Sequence, residues 1–301
     1  MKTTVLVPCH NEAATIAQVV ADFRKQLPDA AILVFDNQST DGSADLARRV
    51  GAEVIDVKPR GKGFVIQHIF RSIDSDIYVL VDGDGTYKAE DVHRLLDPIL
   101  REEADMTVGL RKPASRSAMK LINGMGNYFF SLLISVCFRA GIRDVLSGYR
   151  VFTRGFVNRV SLLTYRFEIE AEITIKALQC GLRIWEIPVV YESRLPQSPS
   201  KLRPFKDGYA ILLTIFTLFR DLKPLTFFGI IAILTWLLAG GYGFFILSRY
   251  GTGSFRDTII LTSLAILGWL FLLIGFAVHT INSRFHDLTA MMERYQANSR
   301  K

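Results

Sequence analysis

The stretch Ile77-Tyr78-Val79-Leu80-Val81-Asp82-Gly83-Asp84-Gly85 passes from an apolar run directly into two carboxylates that are two residues apart. An apolar run of this length, bounded by turn residues, predicts a buried strand. Open α/β sheets bind ligands beyond the carboxyl ends of their strands, so we expect Asp82 and Asp84 at a ligand crevice. Mg²⁺ takes one or two carboxylates together with phosphate oxygens, which makes the pair a candidate metal site on a diphosphate. An Asp-Gly turn would use the same residues, and the motif alone leaves both interpretations open.

Residues 1–110 alternate short β-branched apolar runs with amphipathic stretches. This order predicts an α/β fold in which helices cover both faces of a mostly parallel sheet. The predicted strands are Thr4 to Val7, Ile32 to Phe35, Val54 to Val57, Ile77 to Val81 and Met106 to Val108. The helical patterns begin near Thr15, Ser43, Gly63 and Glu90.

Polar residues follow four of these strands where a structural loop would not require them. The segments are Pro8 to Glu12, Asp36 to Gly42, Arg60 to Gly63 and Asp82 to Gly85. Each has a structural explanation of its own, because Asn11 can cap a helix, Asp41-Gly42 can form a turn, and Gly61-Lys62-Gly63 can be a flexible connection. Their common position at one edge of the sheet predicts a shared crevice of nucleotide size.

The last third of the chain contains two long uncharged runs, Leu225 to Ser248 and Thr258 to Asn282. Each exceeds the roughly 20 residues that span a bilayer, so the pattern predicts a hairpin of two transmembrane helices. The basic residues beyond its outer ends are Arg220, Lys223, Arg284, Arg294, Arg300 and Lys301. The connection between the runs has only Arg249 and Arg256, and this bias favours a cytoplasmic body and tail.

These features divide the chain into four predicted segments. They are an α/β domain at 1–204, an interfacial amphipathic helix with its linker at 205–222, two transmembrane helices at 223–283, and a basic cytoplasmic tail at 284–301. Met119 to Ala140 and Phe205 to Phe219 combine apolar faces with basic ends. Either stretch is expected in the headgroup plane of a bilayer, the alternative being an ordinary core helix.

The formal net charge is +7, and basic residues cluster at Arg111 to Lys120 and at Arg194 to Lys206. Both clusters lie beside apolar, membrane-seeking segments, which indicates a phosphate or anionic lipid partner and no nucleic acid. Cys9, Cys137 and Cys180 show no metal or redox spacing and fit a reducing compartment.

The ordered motifs along the chain resemble those of the polyprenyl-phosphate glycosyltransferases. That group lies within the family 2 glycosyltransferases of the GT-A fold, which is Rossmann-like, and includes dolichol-phosphate mannosyltransferase and bacterial undecaprenyl-phosphate glucosyltransferases. The motifs are Pro8 with Asn11-Glu12, Asp36 with Ser39-Thr40-Asp41-Gly42, Gly61-Lys62-Gly63, Asp82-Gly83-Asp84-Gly85-Thr86-Tyr87, Asp144-Val145-Leu146-Ser147-Gly148-Tyr149-Arg150, Phe167-Glu168-Ile169-Glu170 and Ser200-Lys201-Leu202. With the two predicted spans, the resemblance covers essentially the whole length.

The resemblance implies a donor site for a UDP- or GDP-hexose. The implied contacts to the nucleotide sugar are Pro8, Asn11, Glu12, Asp36, Lys62, Asp82, Gly83 and Asp84. Asp82 and Asp84 would hold Mg²⁺ or Mn²⁺ on its diphosphate. Thr86 stands where some relatives have a better metal ligand, which leaves the third ligand open, and Asn37 receives no role.

The resemblance also implies a lipid acceptor, polyprenyl phosphate, and transfer with inversion at the sugar. A phosphate monoester has a second pKa of about 6, so at neutral pH it is already a nucleophile and cations matter more than a base. Arg111 and Lys201 match family positions that face the phosphates, and Arg116 and Arg194 are further candidates for the acceptor phosphate. Asp144 matches a proposed catalytic residue, whose role stays open between a base, a metal-side organiser and an orienting group.

Other functions use the same fold. A processive polysaccharide synthase would carry a Gln-x-x-Arg-Trp motif, and the segment Gln179 to Trp185 has the wrong spacing. A non-catalytic membrane scaffold would not need Asp82, Asp84, Asp144 and Lys201 together. A sugar nucleotidylyltransferase would have a Gly-rich loop with an Arg after its first strand, unlike Pro8 to Glu12. The sequence does not determine the oligomeric state, and a homo-oligomer is one of the possibilities.

Overall fold

The computed structural model describes residues 1–115, 121–201 and 203–299. Arg116, a candidate for the acceptor phosphate, and Leu202 of the Ser200-Lys201-Leu202 motif lie outside the described residues. The chain forms two compact units, Met1–Ile215 and Phe216–Lys301.

Within the described residues, seven strands of the first unit form one sheet in the order β3-β2-β1-β4-β6-β5-β7. The strands are β1 (Thr3–Cys9), β2 (Ala31–Asp36), β3 (Glu53–Asp56), β4 (Ile77–Leu80), β5 (Met106–Pro113), β6 (Arg150–Thr153) and β7 (Ile184–Tyr191). β6 runs antiparallel to β4 and β5, and the other neighbours are parallel. The predicted α/β fold with a mostly parallel sheet is confirmed.

Helices connect the strands and cover both faces of the sheet. They are α1 (Ile16–Gln26), α2 (Ser43–Arg49), α3 (Lys62–Ser72), α4 (Val92–Leu100), α5 (Leu121–Phe138), α6 (Arg154–Arg159), α7 (Ile169–Gln179) and α8 (Pro204–Leu222). A short 3₁₀ turn, Ala89–Asp91, leads into α4. The predicted strands and helix starts agree with the first five strands and with α1 to α4 to within a few residues, apart from the longer β5.

The strands alternate their side chains between two faces, and each face is buried. Val5 and Val7 of β1 pack with α1, α2 and α4, whereas Leu6 between them packs with α3, α6 and α7. Because successive strand residues point to opposite faces, a strand covered on both sides must be apolar throughout. This requirement explains the uninterrupted apolar run of β4.

The parallel pairing of β1 with β2 and β4 brings three strand ends to one edge of the sheet. Leu6 of β1 is level with Leu33 of β2 and with Leu80 of β4. Pro8 near the end of β1, and Asn37 and Asp82 after β2 and β4, therefore lie at the same carboxyl edge. This is the edge at which open sheets bind ligands.

The second unit contains α9 (Pro224–Tyr250) and α10 (Phe255–Ser299), joined by a connection of four residues. The two helices are antiparallel, since Trp236 donates to the carbonyl of Ala265 at 3.2 Å and Tyr242 donates to Asp257 at 2.8 Å. Apolar C-terminal helices in a hairpin agree with the prediction.

Three helices among the described residues are long and apolar enough to cross a membrane, namely Leu121–Phe138, Pro224–Tyr250 and the Phe255–Phe285 part of α10. The last two contain the predicted spans. The first, α5, was predicted as an interfacial helix, so the structure adds it to the segments that meet the length and composition of a span. The protein is accordingly associated with a membrane.

Candidate active site

A crevice of about 820 Å³ lies in the first unit at the carboxyl edge of the sheet. The sequence-predicted residues that line it are Pro8, Glu12, Lys62, Asp82, Gly83, Asp84, Arg111, Arg194 and Lys201. Its acidic end is lined by Glu12, Lys62, Asp82 and Asp84, and its apolar end by Ile122 and Phe130 of α5 and by Phe205 and Ile211 around α8. One cavity thus joins charged residues from the strand ends to apolar residues from two helices.

Three other predicted residues in the described part of the chain, Asn11, Asp36 and Asp144, lie outside the lining. The carbonyl of Asn11 accepts from Lys201 Nζ at 2.8 Å, which places Asn11 directly behind a lining residue. Asp36 is buried, and its Oδ2 accepts from the Ser39 amide at 3.0 Å. Its Oδ1 has no hydrogen-bond partner within the described part of the chain. Asp144 is also buried, behind Arg111.

Lys62 bridges two carboxylates at the acidic end. Its Nζ lies 2.6 Å from Asp82 Oδ1 and 2.6 Å from Glu170 Oε1. Burial opposes the charge on Lys62, but the two carboxylates outweigh burial and raise the pKa of Lys62 above its usual range. Burial likewise opposes the charge on Asp82, and Lys62 outweighs it, so the pKa of Asp82 is lowered. Both groups are therefore charged at neutral pH.

Asp84 is held from both sides of its carboxylate. Oδ1 accepts from the Thr86 amide at 3.0 Å and from the Thr86 hydroxyl at 2.6 Å, while Oδ2 forms an ion pair with Arg194. Thr86 thus orients Asp84. The hydroxyl of the neighbouring Tyr87 accepts from the Gly148 amide at 3.0 Å and also lies near Ser147.

The segment after β7 is tied to the acidic end by Glu12. Its carboxylate forms an ion pair with Lys201 and accepts a hydrogen bond from Ser198, and Arg194 lies 3.6 Å away. The resemblance predicted that Lys201 faces the phosphates and that Arg194 contacts the acceptor phosphate. In the structure they pair with Glu12 and Asp84.

Arg111 and Asp144 form a fork between the two ends of the crevice. Arg111 donates from Nε to Oδ2 at 2.9 Å and from Nη2 to Oδ1 at 2.6 Å, and its backbone amide donates to Oδ2 at 2.9 Å. Burial opposes the guanidinium charge, but Asp144 outweighs it and raises the pKa of Arg111. Its guanidinium carbon lies 5.4 Å from the centre of the Tyr191 ring, within cation–π range. A guanidinium fixed in this way is a rigid phosphate-binding group.

Two glycines allow close approaches at the acidic end. A Cβ on Gly148 would lie 2.3 Å from Asp82 Oδ2, so only a residue without a side chain allows that oxygen to pack against the backbone here. Gly61 has φ +144°, and a Cβ there would lie 2.2 Å from the carbonyl oxygen of Tyr165. Only glycine fits both the conformation and the space at that position.

Asp82 and Asp84 are the residues that could hold a hard divalent cation. Their carboxylates are within two residues of each other at the crevice, and Mg²⁺ and Mn²⁺ prefer oxygen ligands. The described residues contain no group of three or more His, Cys, Asp or Glu that could form a complete metal cage. A pair of carboxylates suits a cation that takes its other ligands from a diphosphate.

Three further residues shape the site and received no role from the sequence. Asn37 donates to the carbonyls of Val57 and Pro59 and accepts from the Gly61 amide at 2.7 Å, which fixes the loop before Lys62. Glu170 holds the second side of Lys62. Arg150 is fully buried and donates to the carbonyls of Val145 and Ser147 at 2.7 and 2.9 Å. The sequence contained one indication that these residues matter, since each lies in or beside a motif of the resemblance. Asn37 follows Asp36, Glu170 ends the Phe167 to Glu170 motif, and Arg150 ends the motif that contains Gly148.

Comparison with known proteins agrees with the fold and the motifs. The family model described as Glycosyl transferase family 2 matches residues 4–159. Glycosyltransferase AglJ of Haloferax volcanii is 35% identical over 227 residues, which is 75% of this chain and 74% of AglJ. A dolichyl-phosphate hexose transferase of the same organism is 30% identical over 207 residues, 69% of this chain and 89% of that protein.

Solved structures share the fold at low sequence identity. Glucosyl-3-phosphoglycerate synthase from Mycobacterium tuberculosis, solved with Mn²⁺, uridine diphosphate and glucosyl-3-phosphoglycerate, has a TM-score of 0.56 and 20% identity over 72% of this chain and 79% of that one. Its complex with Mn²⁺, UDP-glucose and phosphoglyceric acid has a TM-score of 0.58. The chain belongs to glycosyl transferase family 2 and is a glycosyltransferase with the GT-A fold.

Proposed function

We propose that the protein transfers a hexose from a nucleotide sugar to a polyprenyl phosphate, with inversion at the anomeric carbon. The observation that carries this proposal is the joining of the acidic end and the apolar end in one crevice. A nucleotide sugar needs charged groups for its diphosphate, whereas a polyprenyl chain needs an apolar surface beside its phosphate. The relative named as a dolichyl-phosphate hexose transferase supports the same acceptor class.

The acidic end is the proposed donor site. Pro8, Glu12 and the segment around Asp36 would hold the nucleoside, and Asp82 and Asp84 would hold Mg²⁺ or Mn²⁺ at the diphosphate. Both carboxylates line the crevice, and their oxygens are ligands that suit a hard divalent ion. When bound, the ion would offset the negative charge on the departing nucleoside diphosphate. The Mn²⁺ and uridine diphosphate in the related synthase structure support this assignment.

Lys62 and Arg194 are the proposed partners of the diphosphate oxygens. In the structure each of them forms an ion pair with one carboxylate of the Asp82 and Asp84 pair. A diphosphate brings negative charge to the same place, so both cations would exchange a carboxylate for a phosphate oxygen. Cations that are already fixed in position stabilise developing charge without reorganisation.

Arg111 is the proposed contact for the acceptor phosphate, and Asp144 positions it. Both oxygens of Asp144 accept from Arg111, so among the roles left open by the sequence the orienting role is favoured over that of a base. The acceptor phosphate is already ionised at neutral pH and does not require a base. Attack by its oxygen opposite the leaving diphosphate would invert the sugar configuration.

The membrane arrangement is proposed from the helices and charges. α9 and α10 would span the bilayer, and the excess of basic residues outside the hairpin favours a cytoplasmic position for the first unit and the C-terminus. α5 and α8 would lie in the headgroup plane. For α5 this is favoured over a span because one face carries hydrogen bonds to residues 142–146, while the opposite face is apolar and exposed.

The test is a transfer assay with the full chain purified in detergent. The protein is incubated with Mn²⁺, polyprenyl phosphate and a panel of UDP- and GDP-sugars, and the charged glycolipid product is detected and its anomeric configuration read by NMR. We expect one donor to give an inverted product that disappears when EDTA removes the metal. Failure of every donor with polyprenyl phosphate, or a product of retained configuration, would contradict the proposal.

A further inference from the structure

The loop at 142–148, which carries Asp144, takes its shape from side chains. The amides of Arg143 and Asp144 both donate to Glu186 Oε1 at 2.8 Å, and the Gly148 amide donates to the Tyr87 hydroxyl at 3.0 Å. Buried backbone donors require partners, and these come from distant side chains. The conformation of the loop therefore depends on a small number of individual side chains.

α5 supplies the partners of three more amides in this loop. Leu146 donates to Asn127 Oδ1, Val145 to Ser131 Oγ and Ile142 to Ser135 Oγ, each at 3.1 Å. Ser135 and Asn127 also donate back, to the carbonyls of Ile142 and Arg143 at 3.1 and 3.4 Å. Asn127 and Ser131 are buried. We call Asn127, Ser131 and Ser135 the polar stripe of α5.

The spacing of the polar stripe places it on a single face of the helix. Residues four apart lie above one another on an α-helix, so positions 127, 131 and 135 form one row. The other side of α5 exposes Leu121, Met125, Tyr128, Leu132 and Val136. Polar residues in an otherwise apolar helix are costly unless each has a partner, and here each contacts the same loop.

We propose that the polar stripe positions the Arg111–Asp144 fork for transfer by holding the 142–148 loop against α5. This inference rests on the proposed function and adds three positioning residues to it. Asn127 and Ser131 hold the two residues that follow Asp144, while Glu186 holds the Asp144 amide from the other side. The exposed apolar face of α5 would meet the proposed bilayer. The polar stripe of the same helix holds the loop.

The experiment compares Ser131→Ala/Ser135→Ala with the wild-type full chain in lipid nanodiscs. Tyr128→Phe is the matched control, since it removes a hydroxyl from the exposed face of the same helix. Hydrogen exchange is measured for peptides covering 142–148 and, as an internal reference, 77–81. Binding of Mn²⁺-UDP and Mn²⁺-GDP and the transfer rate are measured on the same samples.

We expect the double variant to exchange faster at 142–148 and to lose about tenfold in kcat, with nucleotide affinity and exchange at 77–81 unchanged. Tyr128→Phe should match the wild type in every measurement, and Ser135→Thr, which keeps a hydroxyl, should retain the wild-type exchange. The single variant Ser135→Ala, at a half-buried position, gives a smaller change in the same direction if the double variant folds poorly.

Wild-type exchange at 142–148 in both alanine variants would overturn the proposal. A parallel loss of transfer and nucleotide binding would also overturn it, because a general loss of structure would then explain the result. The exchange measurement does not depend on the acceptor. A wild-type protein without activity on polyprenyl phosphate would therefore refute the proposed function while the role of the polar stripe was still decided.

Discussion

The acidic and the apolar ends of the crevice differ in what determines their geometry. At the acidic end, Asp82 and Lys62 follow directly from β4 and open α3, so the sheet itself sets their positions. At the apolar end, α5 is joined by side-chain hydrogen bonds to the 142–148 loop, which also depends on β7 and Tyr87. The charged groups are thus positioned by the sheet edge, whereas α5 and the loop beside it are held by individual side-chain hydrogen bonds.

The largest expected effect is on stability and comes from the acidic end. Lys62→Met would leave the buried Glu170 and the half-buried Asp82 without their shared cation. Removing one partner of a buried ion pair costs about 3 kcal/mol or more, which lowers the apparent Tm of the full chain in detergent by roughly 6 to 12 °C. Thermal unfolding followed by circular dichroism measures the shift.

The control for this prediction is an exposed ion pair in the same unit. Lys88 lies 2.8 Å from Glu192, and both side chains are nearly half exposed. Lys88→Met should change stability by less than about 1 kcal/mol, since solvent screens such pairs. Equal losses of Tm in the two variants would contradict the prediction that the Lys62 bridge stabilises the fold more than an exposed ion pair does.

The second effect concerns the contact between the loop and the sheet edge. Gly148→Ala would place a Cβ 2.3 Å from Asp82 Oδ2 and displace that carboxylate. We expect transfer to fall about a hundredfold, because a shift of about 1 Å at a reacting centre has effects of this size. Gly141→Ala, where a Cβ meets nothing within 4 Å, is the control and should keep wild-type turnover. Similar rates for the two variants would contradict the assigned geometry.

The third effect separates the fork from the donor site. Arg111→Lys keeps the positive charge but loses the two-pronged contact with Asp144, so we expect about a tenfold lower kcat with unchanged nucleotide binding. Arg183 forms a similar fork with Asp105 at 2.8 to 3.2 Å, away from the crevice. Arg183→Lys should leave turnover unchanged. A loss of nucleotide affinity in Arg111→Lys would instead assign Arg111 to the donor.

The smallest effect is the pH dependence of donor binding. The pKa of Asp82 is lowered from its ordinary 3.8, so the carboxylate stays ionised above that pH, and the pKa of Lys62 is raised from 10.5, so the amine stays protonated below it. The ion pair between Lys62 and Asp82 is lost at low pH, when Asp82 is protonated below its lowered pKa. It is lost at high pH only when Lys62 is deprotonated above its raised pKa. Calorimetric affinity for the nucleotide sugar that the panel identifies should therefore change less than about twofold between about pH 5 and pH 9. A clear titration near neutrality would contradict the assignment of this pair to the donor.

The sequence predicted the acidic end better than the rest of the crevice for a physical reason. Asp82, Asp84 and Lys62 adjoin a buried strand or a helix start, and parallel strands bring such positions to one edge. The pairing of Arg194 with Asp84 depends on β7 returning the chain to that edge more than a hundred residues later. Local patterns do not specify such a return.

The apolar end was accessible to sequence reasoning only in part. The sequence predicted an apolar face for α5. It did not assign a role to Asn127, Ser131 and Ser135, which are spaced four residues apart. Their partners lie in a loop without regular structure, whose position depends on the antiparallel strand β6 that follows it. Neither β6 nor the burial of Arg150 behind the loop has a periodic signal, because the strand has only four residues.

The assignment of the donor site is tested by the transfer of labelled sugar to polyprenyl phosphate by Asp84→Ala in Mn²⁺. Asp97→Ala, which removes an exposed carboxylate from α4, serves as the control. We expect Asp84→Ala, which also removes the partner of Arg194, to remain folded with a lowered Tm and to lose transfer by about a thousandfold, while Asp97→Ala is fully active. Near-normal turnover by Asp84→Ala would contradict the assignment of a metal-assisted donor site to Asp82 and Asp84.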